Sequence, residues 1–377
     1  MKKVFKIIGL SLGSIIVIVL SSGFWFVSTS EQFGAGASDE RIKSYMLSPN
    51  FVDGKFVNEG EFNMDINCHS IRQMLKEMLS PNPNVSPSQN IRVQKMDSLD
   101  IVNFPDSLTR VTWFGHSTVL VEIEGKKLLF DPHFNQYAAP HPWLGRKRYN
   151  AEMPIEIEKL PPVDAVIISH DHYDHLDYES IYKLRSKTAH FYVPLAVGNH
   201  LAAWGVSWDR IHEMDWWDEG GIDNLLIACT PSKHMSGRGT NDQFSTLWGS
   251  WVVKGKEHSA YFSGDGGYND RFQKIGSKYG PFDIAFLECG QYNELWADVH
   301  MSPEQTAQAG IDLEANLILP IHWASFTLAT HSWTDPIERV TAKSNALGIA
   351  VSTPEIGESL VLDSAHFPKS KWWNLYN

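Results

Sequence analysis

The stretch SHDHYDHLD, Ser169 to Asp177, constrains this chain more tightly than any other. It crowds His170, His172 and His175 beside Asp171 and Asp174, directly after the apolar run DAVIIS, which reads as a buried strand. Ionisable side chains enter a protein interior only when they are paired or coordinated. Packed there without a cation, these groups would gain little core energy. Imidazole nitrogen and carboxylate oxygen are ligands for zinc and other borderline metals, and a catalytic site keeps one position open for water. In a loop, His170 and His172 at i and i+2 face one ion, while Asp174 and His175 face a second beside it.

Three further residues obey the same rule of position. His234 comes shortly after LLIACT, Asp265 directly after AYFSG and His322 directly after NLILPI, so each stands where an apolar strand ends. Rigid strands deliver side chains from distant sequence to one rim. Seven ligands suit two metals: His170, His172 and His234 on one, Asp174, His175 and His322 on the other, with Asp265 bridging. Taken alone, His322 would be read as a hydrogen-bonded core histidine and SGDGGY as a glycine turn. The dense motif at His170 to His175 is what turns them into ligands.

Around this loop the chain is organised in four stretches. Residues 1–30 hold Lys2, Lys3 and Lys6 followed by an uncharged run from Ile7 to Ser30, long enough to cross a hydrocarbon core as a helix and closing on Phe24, Trp25, Phe26 and Val27. Bulky residues at the exit favour an uncleaved anchor over a cleaved signal, and the leading lysines put the N-terminus in the cytoplasm and the remainder outside. Residues 31–105 read as an extension with one amphipathic helix, HSIRQMLKEML, and a turn-rich stretch, SPNPNVSPSQN. Residues 106–364 carry ten short β-rich runs between turns and helices, from VTWF to NLILPI, with a hairpin turning at Gly125. Residues 365–377 form an aromatic tail with Trp372, Trp373 and Tyr376, which reads as packed on the domain.

Charge and cysteine content exclude other classes. A formal net charge of −12 argues against nucleic acid, since neutralising phosphates needs clustered Lys and Arg. Cys68, Cys229 and Cys289 are too few and too scattered for a disulfide framework or a thiolate metal site.

The order H-x-H-x-D-H, His234, Asp265, His322 resembles the metallo-β-lactamase superfamily. VTWFGHSTVLVEIEGKKLLFDP, LPPVDAVIISHDHYDHLD, TPSKH, FSGDGGY, VHMSPEQT and LPIHWASFTLA are similar to the branch containing N-acylphosphatidylethanolamine-hydrolysing phospholipase D, in register from about Pro105 to Leu362. The resemblance implies an αββα sandwich, two Zn2+ per chain and a phosphodiesterase that splits N-acylphosphatidylethanolamine into an N-acylethanolamine and phosphatidic acid. It puts His300 beside the metals, to contact substrate or assist the leaving group. It puts His116 and Asp131 where an imidazole and a carboxylate orient the ligands. One departure is Gly266, which stands in SGDGGY where the branch has threonine and leaves Asp265 intact.

The expected chemistry is attack on phosphorus by a hydroxide that zinc makes available near neutral pH. Asp174, Asp265 and His300 are the residues expected to act closest to the reacting atoms. Iron and manganese take the same ligands. Two rival readings keep the metals: hydrolysis of a lactone or of a cyclic or sugar phosphate, and a non-catalytic, metal-stabilised membrane scaffold.

Overall fold

The computed structural model describes residues 2–63, 72, 76, 79, 80 and 82–377. Most of the expected HSIRQMLKEML helix, and Cys68, lie outside the described residues. A helix spans Lys2–Thr29. Its part Leu10–Thr29, 20 residues of mean hydropathy 2.1 with none of it buried in the protein, is long and apolar enough to cross a membrane.

After the short hairpin β1 (Phe51–Val52) and β2 (Lys55–Phe56), two seven-stranded sheets form the body. The first contains β3 (Arg110–Trp113), β4 (Val119–Ile123), β5 (Lys126–Phe130), β6 (Val163–Ile167), β7 (Thr188–Pro194) and β8 (Ile211–Met214). The second contains β9 (Glu219–Ile222), β10 (Leu225–Thr230), β11 (Ser250–Lys254), β12 (Ser259–Phe262), β13 (Ile284–Glu288), β14 (Leu317–Ile321) and β15 (Ala350–Val351). The last strand, β16 (Ser359–Val361), returns to pair with β3. All ten runs read as strands in the sequence are strands. The hairpin at Gly125 is present too: Glu124 and Gly125 both have positive φ, 49° and 74°, as a two-residue turn of mirror-image type requires.

Alternation explains the layers. Val119, Val121, Leu128, Phe130, Ala165 and Ile167 face the core between the sheets, where Phe130 stacks on Phe262 at 4.8 Å. Their neighbours Leu120, Leu129, Val166 and Ile168 face the other way, into a second cluster with Ile181, Leu184 and Leu201 from the helices Tyr178–Leu184 and Gly198–Ala203. Helices on the outer side of a two-sheet core are the αββα arrangement expected from the resemblance. The core also takes Tyr45, Phe56 and Ile91 from the N-terminal stretch and Trp372, Trp373 and Tyr376 from the tail.

Each sheet has an antiparallel part and a parallel part, and this fixes where the chemistry gathers. Since β3 and β4, then β4 and β5, run antiparallel while β5 and β6 run parallel, the C-terminal ends of β3, β5 and β6 share one edge. The same reasoning brings together the ends of β10, β12, β13 and β14 in the second sheet.

Candidate metal centre

Every residue proposed from the sequence stands on that edge. His116 follows β3, Asp131 follows β5, the His170–His175 loop follows β6, His234 follows β10, Asp265 follows β12 and His322 follows β14. His300 comes from the segment before the helix Pro303–Asp312, whose start is set by a capping box between Ser302 and Gln305 with Pro303 in the first turn. His116, Asp131 and His322 have φ of 52°, 37° and 66°, a backbone region that ordinary residues avoid and that recurs at functional sites.

Two groups of donor atoms meet side by side. In the first, His172 Nδ1 lies 2.9 Å from His170 Nε2 and 3.2 Å from His234 Nε2. In the second, His322 Nε2 lies 3.3 Å and His175 Nε2 3.6 Å from Asp174 Oδ2. Asp265 Oδ2 belongs to both, at 3.2 Å from His175 Nε2, 3.0 Å from His322 Nε2, and 3.9 Å from each of His170 Nε2 and His234 Nε2. His170, His172 and His234 form one group that could hold an ion, and Asp174, His175 and His322, together with His116, form another.

Asp265 Oδ1, His175 Nε2 and His322 Nε2 are buried with no hydrogen-bond partner in the protein, a costly arrangement that a cation resolves. Five imidazoles and two carboxylates, with no thiolate, suit zinc, iron or manganese.

Surrounding groups fix the tautomers. Asp131 takes hydrogen bonds from Ser169 N (2.7 Å), Ser169 Oγ (2.6 Å) and His175 Nδ1 (2.7 Å), which turns His175 Nε2 toward the centre. His234 Nδ1 is spent on Val299 O at 3.0 Å and His170 Nδ1 contacts Ser169 Oγ at 2.9 Å, leaving Nε2 of each for a ligand role. His116 Nε2 holds Asp174 Oδ2 at 2.9 Å. Two residues that the sequence reading passed over belong here as well. Glu288, fully buried at the end of β13, lies 3.2 Å from His300 Nδ1, accepts from Met301 N at 2.9 Å and stands 3.7 Å from His322 Nδ1. Its signal was available: an acid ending the apolar run DIAFLE, as Asp131 ends LLFD. Ser232 explains Gly266: a side chain at 266 would collide with Ser232 Oγ, which donates to Asp265 O at 2.5 Å.

Electrostatics separates the two groups. Burial first, then neighbouring imidazoles, holds His170 and His234 well below the ordinary histidine value, so their lone pairs stay free. Burial acts the same way on His322, but Asp265 and Asp174 outweigh it and raise it to about 10. Burial also opposes ionisation of Asp265, yet His175 and His322 hold its carboxyl well below the usual range. Asp265 and Asp174 thus stay ionised beside neutral His170 and His234, and a divalent cation would take the place of the proton on His322.

The centre opens into a cavity of about 290 Å3 whose lining combines His172, Asp174, Asp265, Gln291, His300 and His322 with the apolar Trp296, Val299 and Leu328.

A β-lactamase superfamily domain matches residues 126–323. An uncharacterised protein of Mycobacterium tuberculosis is 38% identical over 94% of this chain and 96% of that one. The N-acyl-phosphatidylethanolamine-hydrolyzing phospholipase D 1 of Caenorhabditis elegans is 33% identical over 58% of this chain and 65% of its own length. A solved metallo hydrolase from the archaeon Ignicoccus hospitalis shares the fold with a TM-score of 0.51 and 23% identity, over 68% of this chain and 99% of that one. With a relative matched almost end to end and a family domain spanning every strand from β5 to β14, this chain is a metal-dependent hydrolase of the metallo-β-lactamase superfamily.

Proposed function

We propose that this hydrolase is a phosphodiesterase of phospholipase D type, tethered to a membrane by its N-terminal helix with the catalytic domain outside, and acting on lipids like N-acylphosphatidylethanolamine. The observation that carries the reading is the shared carboxylate: Asp265 Oδ2 lies within 3.9 Å of a nitrogen from each of His170, His175, His234 and His322, as a bridge between two cations requires. The similarity to the nematode phospholipase supports the lipid class, and the apolar Trp296, Val299 and Leu328 in the cavity lining suit a chain-bearing substrate. Residues 1–30 then serve as anchor, 31–105 as an extension on the core, 106–364 as the catalytic domain and 365–377 as its closing tail.

Two zinc ions held by the seven ligands would supply an activated water and neutralise charge at phosphorus. The protein's own groups do the rest. Oxygen adds to phosphorus, the bond from phosphorus to the ethanolamine oxygen breaks, and the departing oxygen takes a proton. Glu288 fixes His300 through Nδ1, which leaves Nε2 to give that proton or a hydrogen bond. Phosphatidic acid and an N-acylethanolamine are the products.

The decisive experiment incubates metal-replete, full-length protein with vesicles containing N-acylphosphatidylethanolamine and reads both products by mass spectrometry, beside a lactone and a cyclic phosphate. Hydrolysis of only the latter two would remove the lipid assignment. His300→Ala should keep the bound metal and lower turnover on the order of a hundredfold. Loss of metal in that variant would instead make His300 a ligand.

A further inference from the structure

Between Asp131 and the buried Arg148 the chain makes a projecting loop, closed at its neck by a bridge between Tyr137 and Lys147. From Ala138 to Lys147 it reads AAPHPWLGRK. Pro140 and Pro142 fix the backbone on either side of His141, and the tip presents Trp143, 66% exposed, and Leu144, 50% exposed. Two large apolar residues held in water on a stiff loop need an explanation.

The base of the loop is anchored. Arg148 donates to His133 Nδ1 (2.7 Å), His133 O (2.7 Å) and Ser325 Oγ (3.3 Å), so the projection is held in place. The tip also has a fixed neighbour. Trp143 meets Phe26, near the end of the Lys2–Thr29 helix, with ring centroids 5.7 Å apart, and Phe26 is 6.2 Å from His141. Phe24 and Trp25 beside it are 76% and 68% exposed. Arg146 and Lys147 follow the tip; both are exposed, and neither is ion-paired among the described residues. In a chain of net charge −12 this is an unusual place for two free cations.

We infer that the tip of this loop, Trp143 and Leu144 with Arg146 and Lys147, is a second membrane contact that dips into the lipid headgroup region beside the exit of the anchor helix. An aromatic and an aliphatic tip flanked by cations is the chemistry of an interfacial lipid contact. The apolar part leaves water, and each cation adds about 1 kcal/mol next to anionic headgroups. Continuity with the apolar span argues for lipid over a protein partner.

The contact also orients the site. Phe33, just past the anchor, packs on Tyr173 at 6.3 Å between ring centroids, and Tyr173 stands between the cavity residues His172 and Asp174. Anchor, loop and cavity rim are thus joined in one run of contacts, so a bilayer gripping the first two holds the metal centre at a fixed height. This orienting role rests on the lipid-hydrolase reading; the lipid contact itself does not.

The test uses the full chain in vesicles of phosphatidylcholine and phosphatidylglycerol. Leu144→Cys, in a Cys68→Ser background, is labelled with an environment-sensitive dye; Cys229 and Cys289 are buried and shielded from it. A blue shift with quenching by shallow nitroxide lipids is expected at 144, and neither at the exposed control Leu375→Cys. A water-like signal at 144 in protein that hydrolyses the lipid overturns the contact. So does a shift that follows protein concentration without lipid, which would mean a second copy. A lipid-dependent shift in protein that leaves N-acylphosphatidylethanolamine intact overturns the substrate reading alone. In active protein, Trp143→Ser with Leu144→Ser should cut turnover in vesicles roughly tenfold, about 1.4 kcal/mol, less than full burial of one large apolar side chain brings. Turnover of a soluble phosphodiester by the same variant should not change.

Discussion

Two clusters of buried ionisable groups share the loop after β6, and they are built on opposite principles. Around Asp265, polar atoms are left without hydrogen bonds: Asp265 Oδ1, His175 Nε2 and His322 Nε2 are buried with none in the protein. Around Asp171, one residue after His170, nearly every group is spent. The Asp171 carboxylate accepts from Gly237 N at 2.8 Å and Thr246 Oγ1 at 2.9 Å; only His200 Nε2, 3.5 Å away, is left without a hydrogen bond. Arg238 donates to Asp171 O at 2.6 Å, Leu176 O at 2.7 Å and Gln32 O at 2.7 Å. Equal burial therefore does not mean equal purpose. A saturated cluster stabilises the protein by itself, whereas an unsaturated one is stable only with something bound.

Substituting each cluster's central carboxylate should break the comparison in opposite ways. Asp265→Asn removes the shared ligand, and turnover should fall roughly a thousandfold or more, about 4 kcal/mol of transition-state stabilisation, with metal content reduced in elemental analysis. Asp171→Ala should instead cost roughly 3 kcal/mol of stability, read as a lower urea midpoint with or without metal, because it strands Gly237 N and Thr246 Oγ1. A midpoint unchanged by that substitution would mean that the saturated cluster stabilises nothing. Stripping metal from the parent protein with a chelator sharpens the contrast. It should lower stability by about 2.7 kcal/mol relative to protein holding free metal at a hundred times its Kd, and by little in Asp265→Asn.

How much of this was legible in the sequence follows from the same distinction. The ten internal strands could be read because strands buried on both faces leave continuous apolar runs such as DIAFL and NLILPI. The edge strands IHEM, EGGI, AV and SLV could not, since they are short and polar or glycine-bearing and are recognised only by the partner they bond. The candidate ligands stand out because metal chemistry concentrates rare residues at strand ends. Glu288 was missed because one acid at a strand end looks like any other. Asp171 was seen only as part of a metal motif, although its partners Gly237 and Thr246 lie more than sixty positions away in the chain. Saturation is a property of long-range contacts, and no local pattern encodes it.

A smaller effect tests whether the closed design extends beyond Asp171. His133 and Arg148 are fully buried together without a carboxylate between them, and Arg148 Nη2 donates to His133 Nδ1 at 2.7 Å. Burial, and next to it the Arg148 charge, holds His133 well below the ordinary histidine value, so the folded protein keeps it neutral. The unfolded chain takes up a proton near pH 6.5 and the folded one does not, so acidification favours unfolding. The stability tied to this residue is complete above that pH and falls by about 1.4 kcal/mol per unit below it. His133→Asn, which keeps an acceptor for Arg148, should flatten the fall in urea midpoint between roughly pH 6 and 5 by that slope relative to the parent. An identical slope in both proteins would mean that His133 takes a proton inside the fold. A protonated Nδ1 has no lone pair for Arg148, so that bond would be lost, and the base of the loop would be a charged junction rather than a neutral one.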